Sequence, residues 1–153
     1  MNSIIVRPVA HQDIFKLVPL MNEYIVDFYK RKQPSYESVA NHIKHLLDNP
    51  SIGFQYVAED KDKEKLVGFA TLYFSFSTLS LQKNAVLNDL YVTSSYRGNK
   101  IGENLFETCF NHIKEYNYAG MTWETAEDNN VAQSLYNKMG GQKSQWLHYE
   151  INS

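Results

Sequence analysis

The segment that most constrains the fold runs from Leu87 to Gly102, where an apolar strand leads through a glycine-punctuated turn directly into a helix. Glycine lets the backbone turn tightly and approach a ligand. The first amides of the following helix have no acceptor within that helix, so such a helix start attracts phosphate. The segment therefore predicts an anion-binding turn between a strand and a helix.

Charge and cysteine content narrow the class of protein. The chain has 153 residues, a length that predicts one domain over residues 1–153. With 15 basic and 17 acidic residues it carries a net charge of −2, which favours neither nucleic acid nor an anionic membrane as partner. Cys109 is the only cysteine and the five histidines show no ligand spacing, so we expect no disulfide and no metal. No signal peptide or membrane-spanning run is recognised, which predicts a cytoplasmic location.

Hydrophobic periodicity predicts the order strand, two helices, three strands, helix, strand, helix, strand. We expect an α/β (α+β) fold with a mixed, mostly antiparallel central sheet of about six to seven strands and helices on both faces. The first helix is expected from Asp13 to Phe28, with Pro19 as a place to kink or split it. The predicted strands are 4–9, 54–59, 66–77, 84–92, 121–125 and 144–151, and the other helices begin near Ser35, Ile101 and Asp128 or Asn129.

Two helix starts carry recognisable motifs. The first is the turn from Arg97 to Gly102, and the second begins at Asn129 and places Tyr136 two turns further along a helix. Both resemble signatures of the GCN5-related N-acetyltransferase (GNAT) superfamily, the first its coenzyme loop, except that Lys100 stands where a glycine is usual. Residues 88–92, 96–98 and 123–125 look nearest to the branch of spermidine/spermine and small histone/polyamine acetyltransferases. The resemblance implies an acyl-CoA N-acyltransferase fold, acetyl-CoA as donor and a primary amine as acceptor, with direct attack and no covalent intermediate.

The coenzyme residues follow from that resemblance. Main-chain groups of Leu90 and Val92 would pair with the pantetheine arm, exposed where one strand splays from the next. Asn129 would bond the same arm, although a helix cap alone explains it equally well. Lys100 must reach the ligand from a backbone conformation that glycine adopts more easily, or adds charge to the phosphate site. The residues expected to hold the pyrophosphate are Arg97, Gly98, Asn99, Lys100, Ile101 and Gly102.

Candidate catalytic groups come from the same comparison. Tyr136 is expected to protonate the departing thiolate, against the alternative that it is a core aromatic. The related polyamine enzymes carry a glutamate where this chain has Asn88, and an amide can only position water. Glu124 and Asp89 are alternative bases or amine-binding carboxylates, and both are equally compatible with solvent exposure or salt bridges. Strand alternation places Asp89 on the opposite face from Asn88, Leu90 and Val92.

The acceptor side is expected on the first helix. Glu23 and Asp27 lie four residues apart and so share a helix face, where they would attract a cation or form a solvated edge. The acceptor is a polyamine, an amino acid, an aminoglycoside or a lysine-like group. The family likeness and the aromatic-rich segment around Trp146 are compatible with a homodimer, and equally with a segment whose aromatic residues belong to the core. A non-catalytic acyl-CoA-binding or interaction module is the competing interpretation. It is permitted by the missing glutamate at Asn88.

Overall fold

The computed structural model describes residues 3–153, which contain five strands and four α-helices. The chain forms two compact units, one ending at Trp123 and the other covering Glu124–Ser153. The strands are β1 (Ile4–Pro8), β2 (Gly53–Asp60), β3 (Lys65–Ser77), β4 (Gln82–Val92) and β5 (Met121–Thr122). The α-helices are α1 (Ile14–Asn22), α2 (Tyr36–Asp48), α3 (Ile101–Glu115) and α4 (Asn130–Lys138).

The five strands form one sheet in the order β1-β2-β3-β4-β5. All neighbouring pairs are antiparallel except β4 and β5, which run parallel. The prediction of a mixed, mostly antiparallel sheet is therefore confirmed. The expected count of six to seven strands is wrong for residues 3–153.

Helices cover both faces of the sheet in the first unit. On one face, α1 and α2 bury Leu17 and Ile43 against Phe69 of β3. On the other face α3 approaches so closely that a Cβ on Gly68 would lie 3.2 Å from Leu105 Cδ1 and 2.9 Å from the Tyr91 carbonyl oxygen. Gly68 is therefore required for the approach of α3, and the prediction of helices on both faces is confirmed.

The first helical segment differs from the expected single helix. Asp13 does not cap α1 through its side chain; its carboxylate instead accepts hydrogen bonds from Arg7 Nη1 and Nη2 at 2.7 and 2.8 Å. Pro19 lies inside α1, and the segment changes to a π-helix four residues later, over Glu23–Phe28. The wider turn brings the Tyr29 N–H to the Tyr24 carbonyl oxygen at 3.1 Å. Ser35 caps α2 as predicted, accepting a bond from the Ser38 N–H at 3.1 Å.

Two expectations for the second half of the chain are wrong. Residues 144–151 form no strand, and the strand expected over 121–125 stops at Thr122. Apolar, β-branched and aromatic residues form a strand only where a neighbouring strand is available, which periodicity alone does not reveal.

His112 is a buried titratable group whose ionisation should weaken the fold. Its Nδ1 lies 2.7 Å from the Tyr56 hydroxyl, and the ring packs against Phe54 and Phe74. Burial lowers the pKa of His112 below its ordinary value of 6.5. The unfolded chain therefore binds this proton more readily, so stability is complete above about pH 6.5 and falls as the pH drops below it.

We expect the free energy of unfolding to fall between pH 7.5 and pH 5. The fall should be shallower in the double variant Tyr56→Phe with His112→Phe, which removes the titration without leaving a buried hydroxyl unpaired. Urea denaturation at several pH values measures this slope. His45→Gln, which changes an exposed histidine, should keep the parent's slope, and an unchanged slope in the double variant would assign the acid sensitivity elsewhere.

Candidate active site

The turn before α3 has the geometry of an anion site. Gly98 and Lys100 have positive φ angles of 83° and 62°, and α3 begins at Ile101. The Asn104 N–H donates to the Lys100 carbonyl at 3.0 Å as a first-turn helical bond, so the amides of Ile101 and Gly102 precede any acceptor within the helix. These amides and the glycine-like turn fit a pyrophosphate, which helix starts bind through main-chain N–H groups and the helix dipole.

Lys100 occupies the conformation that the sequence comparison required of it. Its φ of 62° and ψ of 17° are left-handed, and its side chain makes no capping bond to α3. For a residue with a Cβ this conformation costs about 1–2 kcal/mol. The chain therefore keeps a strained lysine beside the predicted phosphate site.

Two substitutions separate the backbone and charge effects of Lys100. Lys100→Gly should raise the free energy of unfolding by up to about 1 kcal/mol, because the strain of a Cβ at positive φ is partly offset by the flexibility of unfolded glycine. Lys100→Gln should weaken acetyl-CoA binding by about two- to fivefold at low salt, which is the effect of one exposed charge, and less at high salt. Calorimetric titration and thermal unfolding measure the two quantities. Lys44→Gln, a change at an exposed position of α2, should leave the affinity unchanged, and equal effects at both lysines would remove Lys100 from the phosphate site.

Tyr96 anchors the turn to the rest of the sheet. Its side chain is buried, and its hydroxyl donates to Asp60 Oδ2 at 2.7 Å. This hydrogen bond is the main cause of the lowered pKa of Asp60, whose Oδ1 also accepts from the Asp62 and Lys63 amides. This role of Tyr96 is not predicted from the sequence, where its only signal is the position directly before Arg97-Gly98.

The far edge of β4 is open where the coenzyme is expected. β5 pairs with β4 only at Ala85 and Val86. The Thr93 N–H donates to the Val67 carbonyl of β3 at 2.9 Å, so the alternate residues Leu90 and Val92 direct their main-chain groups away from β3. Within residues 3–153 no strand pairs with that edge beyond Val86.

Arg97 covers part of this edge. Its Nε donates to the Val92 carbonyl at 2.9 Å, and its guanidinium lies 5.5 Å from the centre of the Tyr91 ring. Asn99 closes the turn through a bond from Nδ2 to the Tyr96 carbonyl at 3.1 Å. The structure thus brings the residues predicted for the coenzyme in the first unit, from Leu90 to Gly102, to one edge of the sheet.

Asn88 is the bulged residue in the pairing of β3 with β4. Thr71 pairs with Asp89 and Leu72 with Leu87, so Asn88 is the extra residue. Its exposed side chain donates from Nδ2 to Asp89 Oδ1 at 3.0 Å. Asp89 lies on the face covered by α1 and α2, opposite Leu90 and Val92 as predicted, but the predicted alternation does not extend to Asn88, which is the bulged residue and bonds to Asp89.

Asp89 is a carboxyl group held inside the protein. It is 9% exposed. Burial raises its pKa, while hydrogen bonding by Thr71, Tyr24 and Asn88 and the charge of His42 act in the opposite direction. A raised pKa makes the carboxylate a stronger proton acceptor than an exposed aspartate.

The other two acidic candidates of this unit lie in the π-helix. Glu23 Oε1 accepts hydrogen bonds from the Tyr91 hydroxyl at 2.7 Å and from Thr93 Oγ1 at 2.5 Å. Asp27 is exposed. Glu23 therefore ties the π-helix to the end of β4, beside an aromatic group in which Tyr24 contacts Tyr91 edge-on at 5.5 Å between ring centres.

The remaining predicted residues belong to the second unit. Asn129 Oδ1 accepts from the Ala132 N–H at 3.1 Å and so caps α4. Tyr136 is half-buried on α4, together with Leu135 and Met139. Glu124 lies beyond β5 rather than on a strand, its side chain is 79% exposed, and its Oε1 is 3.7 Å from His148 Nδ1.

Two other chemistries find no support in the described residues. Cys109 is buried and its pKa is raised to about 12, which leaves it uncharged and a poor nucleophile. Residues 3–153 hold no group of three or more metal-ligating side chains.

Among the helices of this part of the chain, none is long and apolar enough to cross a membrane.

Comparison with known proteins decides the family. The sequence pattern of the acetyltransferase (GNAT) family matches residues 17–141. The chain belongs to this family. A solved structure described as a probable acetyltransferase superposes with a TM-score of 0.88 at 27% identity, covering 97% of each chain.

Two curated relatives of this GNAT protein are named as N-acetyltransferases. The uncharacterized N-acetyltransferase YhfO of Bacillus subtilis (strain 168) is 27% identical over 96% of both chains. The D-amino-acid N-acetyltransferase HPA3 of Saccharomyces cerevisiae is 29% identical over 54% of this chain and 52% of its own length. Family and relatives together identify an acetyl-CoA-dependent N-acetyltransferase.

Proposed function

We propose that this GNAT enzyme acetylates a positively charged primary amine, of the polyamine, amino acid or lysine-like kind, by direct attack in a ternary complex. The observation that carries the proposal is the position of Asp89. Its buried carboxyl group lies on the helix-covered face of β4, and its neighbours Leu90 and Val92 offer main-chain groups to the open edge. An amine proton acceptor thus adjoins the edge at which the coenzyme is expected.

The chain's residues divide the reaction as follows. The amine nitrogen bonds to the acetyl carbon, the carbon–sulfur bond breaks, and the thiolate leaves. An amine with a pKa near 10 is mostly protonated at neutral pH, so Asp89 takes its proton before attack, directly or through a water held by Asn88. Tyr136 gives a proton to the thiolate, and the second proton that the nitrogen loses when the amide forms returns to Tyr136 through solvent. Glu124 is the alternative base, and its exposure makes it the weaker candidate.

The coenzyme is proposed to lie along the open edge of β4. The amides of residues 98–102 and the side chain of Arg97 would hold its pyrophosphate, and Leu90 and Val92 would pair with its pantetheine arm. Asn129 would contact that arm while it caps α4. The hydrogen bond from Arg97 Nε to the Val92 carbonyl must break before this carbonyl can pair with the pantetheine arm.

Charge on the acceptor side favours cationic amines. Glu23 and Asp27 are carboxylates on the π-helix, and Tyr24 of the same helix interacts with both the Asp89 carboxyl group and the Tyr91 ring. Such a combination attracts ammonium groups. The likeness to the polyamine branch points the same way, whereas the D-amino-acid acceptor in the name of HPA3 supports amino acids as an alternative.

A screen of amines by mass spectrometry tests the acceptor. Acetyl-CoA is incubated with the protein and spermidine, D- and L-amino acids, an aminoglycoside or a lysine-containing peptide, and acetylated products are quantified. Polyamines or lysine-like amines should react fastest. Faster reaction of zwitterionic amino acids would contradict the charge argument, and coenzyme binding without any product would support the non-catalytic module.

We also propose that the chain forms a homodimer through its C-terminal segment. Trp146, Leu147 and Tyr149 are 87%, 82% and 86% exposed. Covering this much apolar surface would stabilise an association of two copies. The double variant Trp146→Lys with Tyr149→Lys should have the mass of one chain by light scattering, while the parent has the mass of two. A monomeric parent would contradict the proposal.

A further inference from the structure

Asp89 is supported by a line of buried polar side chains that begins at Gln55. Gln55 Nε2 donates to Thr71 Oγ1 at 3.0 Å, and the same nitrogen lies 3.7 Å from Met21 Sδ. A thioether sulfur only accepts hydrogen bonds, so the Met21 contact favours the orientation in which the NH2 group of Gln55 faces Thr71, and in this orientation the buried Gln55 Oε1 has no hydrogen-bond partner in the described part of the chain. Gln55 and Thr71 are 5% and 0% exposed, so solvent offers little alternative to these bonds.

The direction of this first bond fixes the second. A hydroxyl group has one proton, and the Gln55 N–H occupies a lone pair of Thr71 Oγ1. The Thr71 proton is then available to another acceptor. Thr71 is the direct cross-strand partner of Asp89, so their side chains lie on the same face of the sheet. We propose that Gln55 and Thr71 are positioning residues, which orient a hydroxyl donor toward Asp89 and so keep its buried carboxyl group ionised and correctly placed.

The positioning of Asp89 by Thr71 and Gln55 is independent of the proposed function, and only its effect on catalysis rests on that function. A carboxyl group that is buried without donors becomes protonated and cannot accept a proton from the amine. Asn88 donates from the same strand, and Tyr24 adds a second hydroxyl from the π-helix. Thr71 is the donor from β3, and Gln55 extends the support into β2.

Three other titratable side chains interact with Asp89, and the variants used in the test leave all three unchanged. Tyr24 faces it from the π-helix, Tyr73 from β3 and His42 from α2. His42 Nε2 lies 2.7 Å from the Tyr73 hydroxyl. Because none of these groups is changed in variants of residues 55 and 71, a shift in the pKa of Asp89 reports the loss of the Thr71 donor.

The test is a carbon-13 NMR titration of the aspartate carboxyl groups in the full chain, with the Asp89 signal assigned by its loss in Asp89→Asn. Thr71→Val, which keeps the shape and removes the hydroxyl, should raise the pKa of Asp89 by about one unit or more. Gln55→Met should raise it by less, and Thr71→Ser should restore the parent value. Thermal unfolding checks that each variant is folded.

An unchanged Asp89 pKa in folded Thr71→Val overturns the inference, whatever the activity. If the pKa shifts as expected and Asp89→Asn still acetylates amines at the parent's rate, the positioning holds and the proposed role of Asp89 in catalysis fails. If both hold, the acid limb of kcat/KM against pH should move upward in Thr71→Val. It should not move in Thr71→Ser.

Discussion

Replacing Tyr136 by phenylalanine should lower kcat by about 10²–10⁴-fold, the usual contribution of a positioned acid or base. The departing thiolate needs a proton or a strong hydrogen bond, and phenylalanine keeps the ring while removing the hydroxyl group. Because the ring is half-buried on α4, its packing should survive the change. The dissociation constant of acetyl-CoA should change less than about threefold, since the hydroxyl is needed only as the thiolate departs.

Steady-state kinetics and calorimetric titration measure these two quantities in the same preparation. Tyr36→Phe removes a hydroxyl from an exposed tyrosine at the start of α2 and should behave as the parent. Parent-like transfer by Tyr136→Phe would show that Tyr136 is a packing residue, which is the alternative that its helical spacing leaves open.

Replacing Asp89 by asparagine should lower kcat/KM by about 10²–10⁴-fold at neutral pH. Asparagine has nearly the same size, but its amide cannot accept the amine proton. The defect should shrink as the pH approaches 10, because the acceptor then loses its proton without help. This pH dependence distinguishes a proton acceptor from a residue that only binds the ammonium group, whose loss would be felt most while the amine is charged and would appear mainly in KM.

Glu107→Gln is the matched control for the Asp89 variant, since it makes the corresponding change at an exposed position of α3. Glu124→Gln is measured alongside as the competing base. A large loss in Glu124→Gln together with parent-like activity in Asp89→Asn would move the proton-accepting role to Glu124.

The sequence predicted the first unit well because its signals are local. An apolar run, a glycine turn and a helical stripe are each readable within about fifteen residues, and all three lie between Leu87 and Glu115. The left-handed conformation of Lys100 also followed from one departure in a motif. The predicted separation of Asp89 from Leu90 and Val92 is found in the structure, whereas the bulge breaks the predicted alternation at Asn88.

What the sequence could not provide depends on contacts between distant segments. The bulge at Asn88 is a property of the register between β3 and β4, and the link between Gln55 and Thr71 joins residues 16 positions apart. The segment 144–151 has the composition of a strand, yet a strand requires a neighbour that its own residues do not specify. The strand expected to carry Glu124 ends two residues earlier, at Thr122.

The most direct measurement of the central claim follows both products of one reaction. The parent protein is incubated with acetyl-CoA, with and without the best amine of the screen, and acetylated amine and CoA are quantified together with the mass of the protein. Direct attack in a ternary complex predicts equal amounts of the two products, no CoA release without amine and no acetylated protein. CoA release without amine, an acetyl group retained on the chain, or no acetylated amine at all would contradict the account.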